Sequence, residues 1–376
     1  MTPVPLTTPD QSPEQRRAII ESTPLPASIP ALLDAACADC PDATLWEFFD
    51  EGTSATYAQV RRDSLKIGAL LAREGIWKGD RVAVMVPNVP AMPLIWLALM
   101  RIGAVMVPVN TRSSARELAY AVENSGARLL LLHDSLAAIL EDGDLDVKVV
   151  LTDTPDWARR LDRAAPDDCP MPTLTGDTLA NIQYTSGTTG LPKGCLLTHR
   201  YWLTTGVVNA WRDGLRYARI LATTPFTYMD PQWLLLMAIY QRGTLVVGRK
   251  QSATRFSRWL AEHRIEFCLF PEAASKQPPA PHDGDNVVKR ANIYGVRASA
   301  HAEIEARYGF RAREAFGMTE IGSGMFVPLE AEAMNGSGSC GIASPFRETR
   351  VVDDAGNDLP PGEVGELLIR GPGLFL

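Results

Sequence analysis

One stretch of the chain, Tyr184–Gly194, reads YTSGTTGLPKG and follows an apolar run. It carries four Ser/Thr hydroxyls (Thr185, Ser186, Thr188, Thr189), the glycines Gly187, Gly190 and Gly194, and a lysine, Lys193. Small hydroxyls and glycines let backbone N–H groups come close to a polyphosphate, and the lysine adds positive charge. The GxxxxGK[ST] spacing of a P-loop nucleotidase is absent. An ordinary polar turn would also use Gly, Ser and Thr. A strand exit, four hydroxyls, three glycines and a closing Lys-Gly together exceed what a turn requires.

Three further segments could serve the same chemistry. Phe316–Glu320 reads FGMTE, Thr224–Trp233 reads TPFTYMDPQW, and Ile293–Val296 reads IYGV. Metal chemistry built on histidine or cysteine has little support. The five histidines form no HExxH or HxxH cluster, and Cys37 and Cys40 form a CxxC with no second pair or nearby histidines. Two small residues on one face of a helix over Ile29–Cys40 explain that pair.

The loop resembles the signature of the adenylate-forming superfamily, which includes acyl-CoA synthetases, luciferases and peptide-synthetase adenylation domains. Thr198-His199 continues the pattern. The resemblance implies that Thr185, Ser186, Gly187, Thr188, Thr189, Gly190 and Lys193 bind the β- and γ-phosphates of ATP. FGMTE resembles the family's YGMTE motif, with Phe in place of the commoner Tyr. On that likeness Phe316, Gly317 and Met318 flank the adenine, Thr319 bonds the α-phosphate and Glu320 holds Mg²⁺. Gly295 falls where the family has an adenine loop, although a strand end with one turn glycine accounts for it nearly as well. TPFTYMDPQW falls at the family's acyl-pocket motif. It lacks both the His common in acyl-CoA synthetases and the Asp that binds an amino group in peptide-synthetase domains, which argues against an amino-acid substrate. Phe226, Tyr228 and Trp233 then suggest an acid with a sizeable apolar or ring-containing body; for Phe226 and Tyr228 a core role stands equally. Asp230 reads as an N-cap for a helix beginning at Pro231.

These residues need a scaffold, and the hydrophobic pattern supplies one. Apolar runs at Arg81–Val86, Val105–Val109, Arg128–Leu132, Val147–Leu151 and Leu179–Tyr184 alternate with helical segments at Met92–Met100 and Ser114–Asn124. A second series has strands at Ile220–Thr223, Thr244–Val247, Glu266–Phe270 and Ala291–Tyr294, with helices at Gln232–Tyr240, Ala253–His263 and Ser299–Tyr308. Continuous apolar strands separated by helices predict α/β architecture with parallel sheets covered by helices. Residues 153–178 and 275–286 read as loops, and residues 1–13 as disordered or extended. After residue 325, Gly-rich turns and a hairpin over Thr349–Val352 and Val364–Arg370 predict a small β-subdomain. The expected division is 1–178, 179–324 and 325–376.

The 376 residues are 46% apolar and 22% charged, with a net charge of −7. No basic run speaks for a nucleic-acid partner, and no apolar run reaches membrane-spanning length. The N-terminus lacks a signal-peptide pattern, so a cytoplasmic location is expected. Gly362–Gly371 resembles the family stretch that leads to a ribose-binding motif, and the sequence stops at Leu376 before it. A longer enzyme, or a separate lid domain, is therefore expected to complete the site. Three readings follow from the resemblance. The first is an acyl-CoA ligase using ATP, Mg²⁺ and coenzyme A on a small-molecule carboxylate. The second is a lid-less subunit that only binds an adenylate or performs one half-reaction. The third is an adenylation domain feeding a carrier protein.

Overall fold

The computed structural model describes residues 6–143, 145–185 and 192–376. Two sheets organise the chain. The six-stranded sheet runs Lys148–Thr152, Leu129–His133, Arg81–Met85, Val105–Pro108, Leu179–Thr185, Lys193–Thr198 in spatial order. Its first five strands are parallel, and the last is antiparallel to Leu179–Thr185. The nine-stranded sheet runs Ile342–Ala343, Gly322–Phe326, Ala312–Met318, Arg290–Ile293, Phe267–Leu269, Arg219–Ala222, Thr244–Val247, Thr44–Phe48, Thr53–Thr56. It is parallel in its centre and antiparallel at both edges.

Side-chain alternation explains how the layers stack. Val82 and Val84 face one way, into a core shared with Ile220 and Leu245 of the other sheet. That core is filled by helices Ile29–Asp39, Ala91–Ile102, His199–Trp211 and Met229–Gln241, through Leu33, Leu97, Trp202 and Leu235 among others. Such helices are apolar nearly all round because both sides meet a sheet. Ala83 and Met85 face the opposite way and meet Leu118 and Val122 of helix Ala115–Ser125. On the far side, Val246 and Ala291 meet Leu260 and Ile304.

Several sequence expectations need correction. The sheets cross residue 178 in both directions: Thr44–Phe48 and Thr53–Thr56 join the nine-stranded sheet, and Leu179–Thr185 with Lys193–Thr198 join the six-stranded one. Gly322–Phe326 and Ile342–Ala343 likewise carry the nine-stranded sheet past residue 324. Only the hairpin Glu348–Val352 with Glu366–Arg370 forms a sheet of its own. Helix Pro155–Asp162 lies in the expected loop, started by Thr154, whose hydroxyl accepts from the Trp157 N–H, and by Pro155 at its first position. Residues 275–286 are pinned by Arg307, which donates to the carbonyls of Gln277 (2.7 Å) and Pro278 (3.0 Å) and pairs with Asp283 (2.7 Å). At the N-terminus, Thr7 is fully buried and its hydroxyl donates to the Trp211 carbonyl.

Candidate active site

The expected phosphate loop is the connection of a β-hairpin. Thr185 stands opposite Lys193, and Tyr184 opposite Gly194. Ser186, Gly187, Thr188, Thr189 and Gly190 lie outside the described residues. Helix Ala115–Ser125 buttresses both ends of the loop: Tyr184 Oη donates to Asn124 Oδ1 (2.6 Å), and Tyr120 Oη donates to the Pro192 carbonyl (3.0 Å). Gly194 has a packing reason, since a Cβ there would lie 2.7 Å from Ile182 Cγ2.

The FGMTE segment is the other side of the site. Phe316–Met318 end strand Ala312–Met318, and Thr319 and Glu320 form the turn into Gly322–Phe326. Gly317 is dictated by this hairpin, because a Cβ would come 2.6 Å from the Gly322 carbonyl oxygen. Cys195 is buried on the strand that leaves the loop, and burial together with the Glu320 charge pushes its thiol pKa up to about 11. The adjacent N–H groups of Phe375 and Leu376 tie the two segments together, donating to the Glu320 carbonyl (3.0 Å) and to the Leu196 carbonyl (3.0 Å) of the strand that leaves the loop. Arg347 fixes the turn from behind. Its guanidinium donates to the carbonyls of Ile321 (2.8 Å) and Pro372 (2.7 Å), and the Phe375 N–H donates to the Glu320 carbonyl (3.0 Å).

Gly295 adopts φ +62°. Its N–H and that of Val296 each donate to one oxygen of Glu314, at 3.2 Å. Burial raises the Glu314 pKa, and these two bonds oppose the rise. The turn leaves Tyr294 partly exposed beside Phe316 and Gly317, on the wall of a cavity.

That cavity is open to solvent and has a volume of about 50 Å³. Its wall includes Thr205, Arg212, Asp230, Trp233, Tyr294 and Phe316. It is small, and its wall mixes apolar and aromatic side chains with polar ones. Of the expected pocket residues, Trp233 lines the cavity. Phe226 does not: it is 1% exposed and packed in the central core. Tyr228 lies on a separate cleft with Thr185, Tyr120 and Tyr184, where its Oη accepts from Asn110 Nδ2 (3.1 Å). Asp230 is not an N-cap. Helix Met229–Gln241 begins two residues before the expected Pro231, with Tyr228 in the capping position, which places Asp230 inside the first turn, against the cavity.

Sequence reasoning missed the polar chain that positions the segment 224–228. Trp96 Nε1 donates to Asn181 Oδ1 (3.1 Å), Asn181 Nδ2 to Gln232 Oε1 (3.0 Å), and Gln232 Nε2 to the Phe226 carbonyl (3.0 Å). Asn88 closes the other side, accepting from the Phe226 N–H (2.8 Å) and donating to the Thr224 carbonyl (2.8 Å). Asn181, Gln232 and Asn88 are all buried. Polar residues inside otherwise apolar strand and helix patterns were the available signal, since such groups persist only when bonded.

Glu320 is the acidic residue expected to meet Mg²⁺, and no group of three His, Cys, Asp or Glu that could hold a metal occurs among the described residues. One carboxylate fits the way Mg²⁺ is held on nucleotides, by one or two protein carboxylates with phosphate oxygens and water completing the shell. No helix among the described residues is long and apolar enough to cross a membrane.

The chain belongs to the AMP-binding enzyme family, whose family model matches residues 33–376. It is 30% identical over 336 residues to a crotonobetaine/carnitine–CoA ligase of Escherichia coli O7:K1 (strain IAI39 / ExPEC), covering 84% of this chain and 65% of that protein. The chain thus spans 65% of the length of such relatives. Among solved structures, the inhibitor-bound N-terminal domain of FACL13 from Mycobacterium tuberculosis is 26% identical with a TM-score of 0.83, covering 93% of this chain and 90% of that one. FadD1 from Archaeoglobus fulgidus, a long-chain-fatty-acid–CoA ligase, shares the fold at 22% identity with a TM-score of 0.85, over 94% and 77%.

Proposed function

We propose that this protein activates a small carboxylic acid with ATP, giving acyl-AMP and pyrophosphate, and that the acyl group then passes to coenzyme A. The observation that carries this reading is the tie between the FGMTE turn and the strand that leaves the loop, made by the N–H groups of Phe375 and Leu376 on the Glu320 and Leu196 carbonyls, together with a cavity walled by Phe316 and Gly317. Thr185, Ser186, Gly187, Thr188, Thr189, Gly190 and Lys193 would hold the β- and γ-phosphates. Phe316, Gly317, Met318 and Gly295 would border the adenine, Thr319 would donate to the α-phosphate, and Trp233 would face the acid.

The chemistry follows from positioning and charge. The acid's carboxylate oxygen attacks the α-phosphorus in line, the P–O bond to the β-phosphate breaks, and pyrophosphate leaves. Holding both reactants in one orientation supplies much of the acceleration. Lys193 and loop N–H groups stabilise the charge that gathers on the leaving group. Glu320 would hold Mg²⁺, which supplies neutralisation of phosphate charge when bound. In the second step the coenzyme A thiolate attacks the acyl carbon, the thioester forms and AMP departs. ATP and coenzyme A as co-substrates fit a cytoplasmic location. The test is acid-dependent exchange of labelled pyrophosphate into ATP, run with a panel of carboxylates on the protein as its gene encodes it. Exchange with at least one acid is expected, and it should be lost in Lys193→Ala. No exchange with any acid, alongside tight binding of an acyl-AMP analogue, would instead favour an adenylate-binding role.

A further inference from the structure

We propose that Asp230 is the specificity-determining residue of the acid pocket and selects a short carboxylic acid whose far end carries a cationic nitrogen; this rests on the adenylating reading above. Asp230 lies in the first turn of helix Met229–Gln241 and forms part of the cavity wall. Among the described residues its side chain takes one hydrogen bond, from Trp233 Nε1 at 3.2 Å, and forms no ion pair. An ionised carboxylate offers about four acceptor sites. Asp230 is half-buried, and leaving those sites unused where the wall shields them from bulk water is costly. Burial accordingly raises the Asp230 pKa, and only the Trp233 bond opposes it. Anchoring Trp233 does not explain the charge, because an asparagine oxygen would do that work without it.

The cavity's other charged wall residue does not neutralise Asp230. Arg212 donates from Nη2 to Asn292 Oδ1 (3.0 Å), and its guanidinium carbon lies 4.8 Å from the centroid of the Phe326 ring. Behind it, Asp213 is committed to Arg290 (2.7 Å) and accepts from Tyr217 Oη (2.8 Å). The negative charge of Asp230 therefore waits for a positive group that enters through the cavity. The neighbouring wall suits such a group: Trp233, Tyr294 and Phe316 are aromatic, and ring faces attract a desolvated cation. At about 50 Å³ the cavity is small, which suits a short acid.

The experiment uses non-hydrolysable acyl-sulfamoyl-adenosines in isosteric pairs. One pair ends in ammonium or methyl, the other in trimethylammonium or tert-butyl. Affinities are read by calorimetry on the wild type and on Asp230→Asn, which retains an acceptor for Trp233. In the wild type the cationic member of at least one pair should bind about tenfold tighter or more than its neutral partner. In Asp230→Asn that preference should disappear, with the neutral probes held within about threefold of their wild-type affinity as the sign of an intact pocket. Neutral probes binding as well as both cationic ones, or a preference that survives Asp230→Asn, would overturn the assignment and leave the adenylating reading standing. Failure of every probe to bind would remove both.

Discussion

Replacing His199 by asparagine should flatten the loss of stability between about pH 7 and about pH 5 by about 2 kcal/mol. His199 is fully buried at the start of helix His199–Trp211, directly after the strand that leaves the phosphate loop. Its Nδ1 accepts from the Ile29 N–H at 3.1 Å, so the neutral ring is the form that fits. Protonation would set two donors against each other and place a cation at the positive end of a helix. Burial depresses the pKa from 6.5 to about 4. The sign follows directly. The unfolded chain binds this proton below about 6.5 while the folded one resists it down to about 4, so stability is complete above the unfolded value and falls as the pH drops through that window. The whole window corresponds to about 3 kcal/mol at about 1.4 kcal/mol per pH unit, of which about 2 kcal/mol is lost by about pH 5. Asn Oδ1 can occupy the Nδ1 position and accept from Ile29 without titrating. Urea unfolding of both proteins at the two pH values gives the difference, from which the other titrating groups cancel. Equal pH dependence in the two proteins would refute the reasoning.

Three further outcomes follow from the geometry. Gly317→Ala should distort the hairpin that carries Thr319 and Glu320, costing about 1–3 kcal/mol of stability and weakening ATP binding; a melting curve with a nucleotide titration reads both. Arg290→Met should leave the fully buried Asp213 without its partner and destabilise the fold by about 3–5 kcal/mol, measured by denaturant unfolding. Glu314→Ala frees the Gly295 and Val296 N–H groups, one exposed and one buried, so a loss of about 1–3 kcal/mol is expected from the buried one. It should also raise the dissociation constant for AMP, whereas unchanged AMP affinity would separate that turn from the nucleotide.

The sequence revealed what local pattern controls. Buried parallel strands read as unbroken apolar runs, so Thr244–Val247 was found to the residue. Ser114 with Glu117 forms a reciprocal capping box that marks the helix start. Pairing over long distances was hidden. Nothing in Thr44–Phe48 announces that it lies beside Thr244–Val247, because that partnership depends on how two layers close. The strand Lys193–Thr198 was obscured by the loop that precedes it, whose composition dominates the local signal. Helix Pro155–Asp162 was overlooked because only Trp157 on it is buried, although Thr154-Pro155 gave a start signal. At the site, residue types suggested which segments carry chemistry but not which side chains face the cavity. Phe226 and Asp230 show the limit. A two-residue shift of the helix start exchanges a surface cap for a wall residue, while the phenylalanine turns into the core.

The most direct test of the central claim, that the loop hairpin and the FGMTE turn form one nucleotide site, is calorimetric titration of ATP with Mg²⁺ into the wild type, Lys193→Ala, Glu320→Gln and the double variant. The account predicts binding to the wild type and a loss of about tenfold or more in each single variant, as expected for removing a charged contact. The double variant should lose less than the product of the two, because both residues act on the same phosphates. Undiminished affinity in both single variants would contradict it.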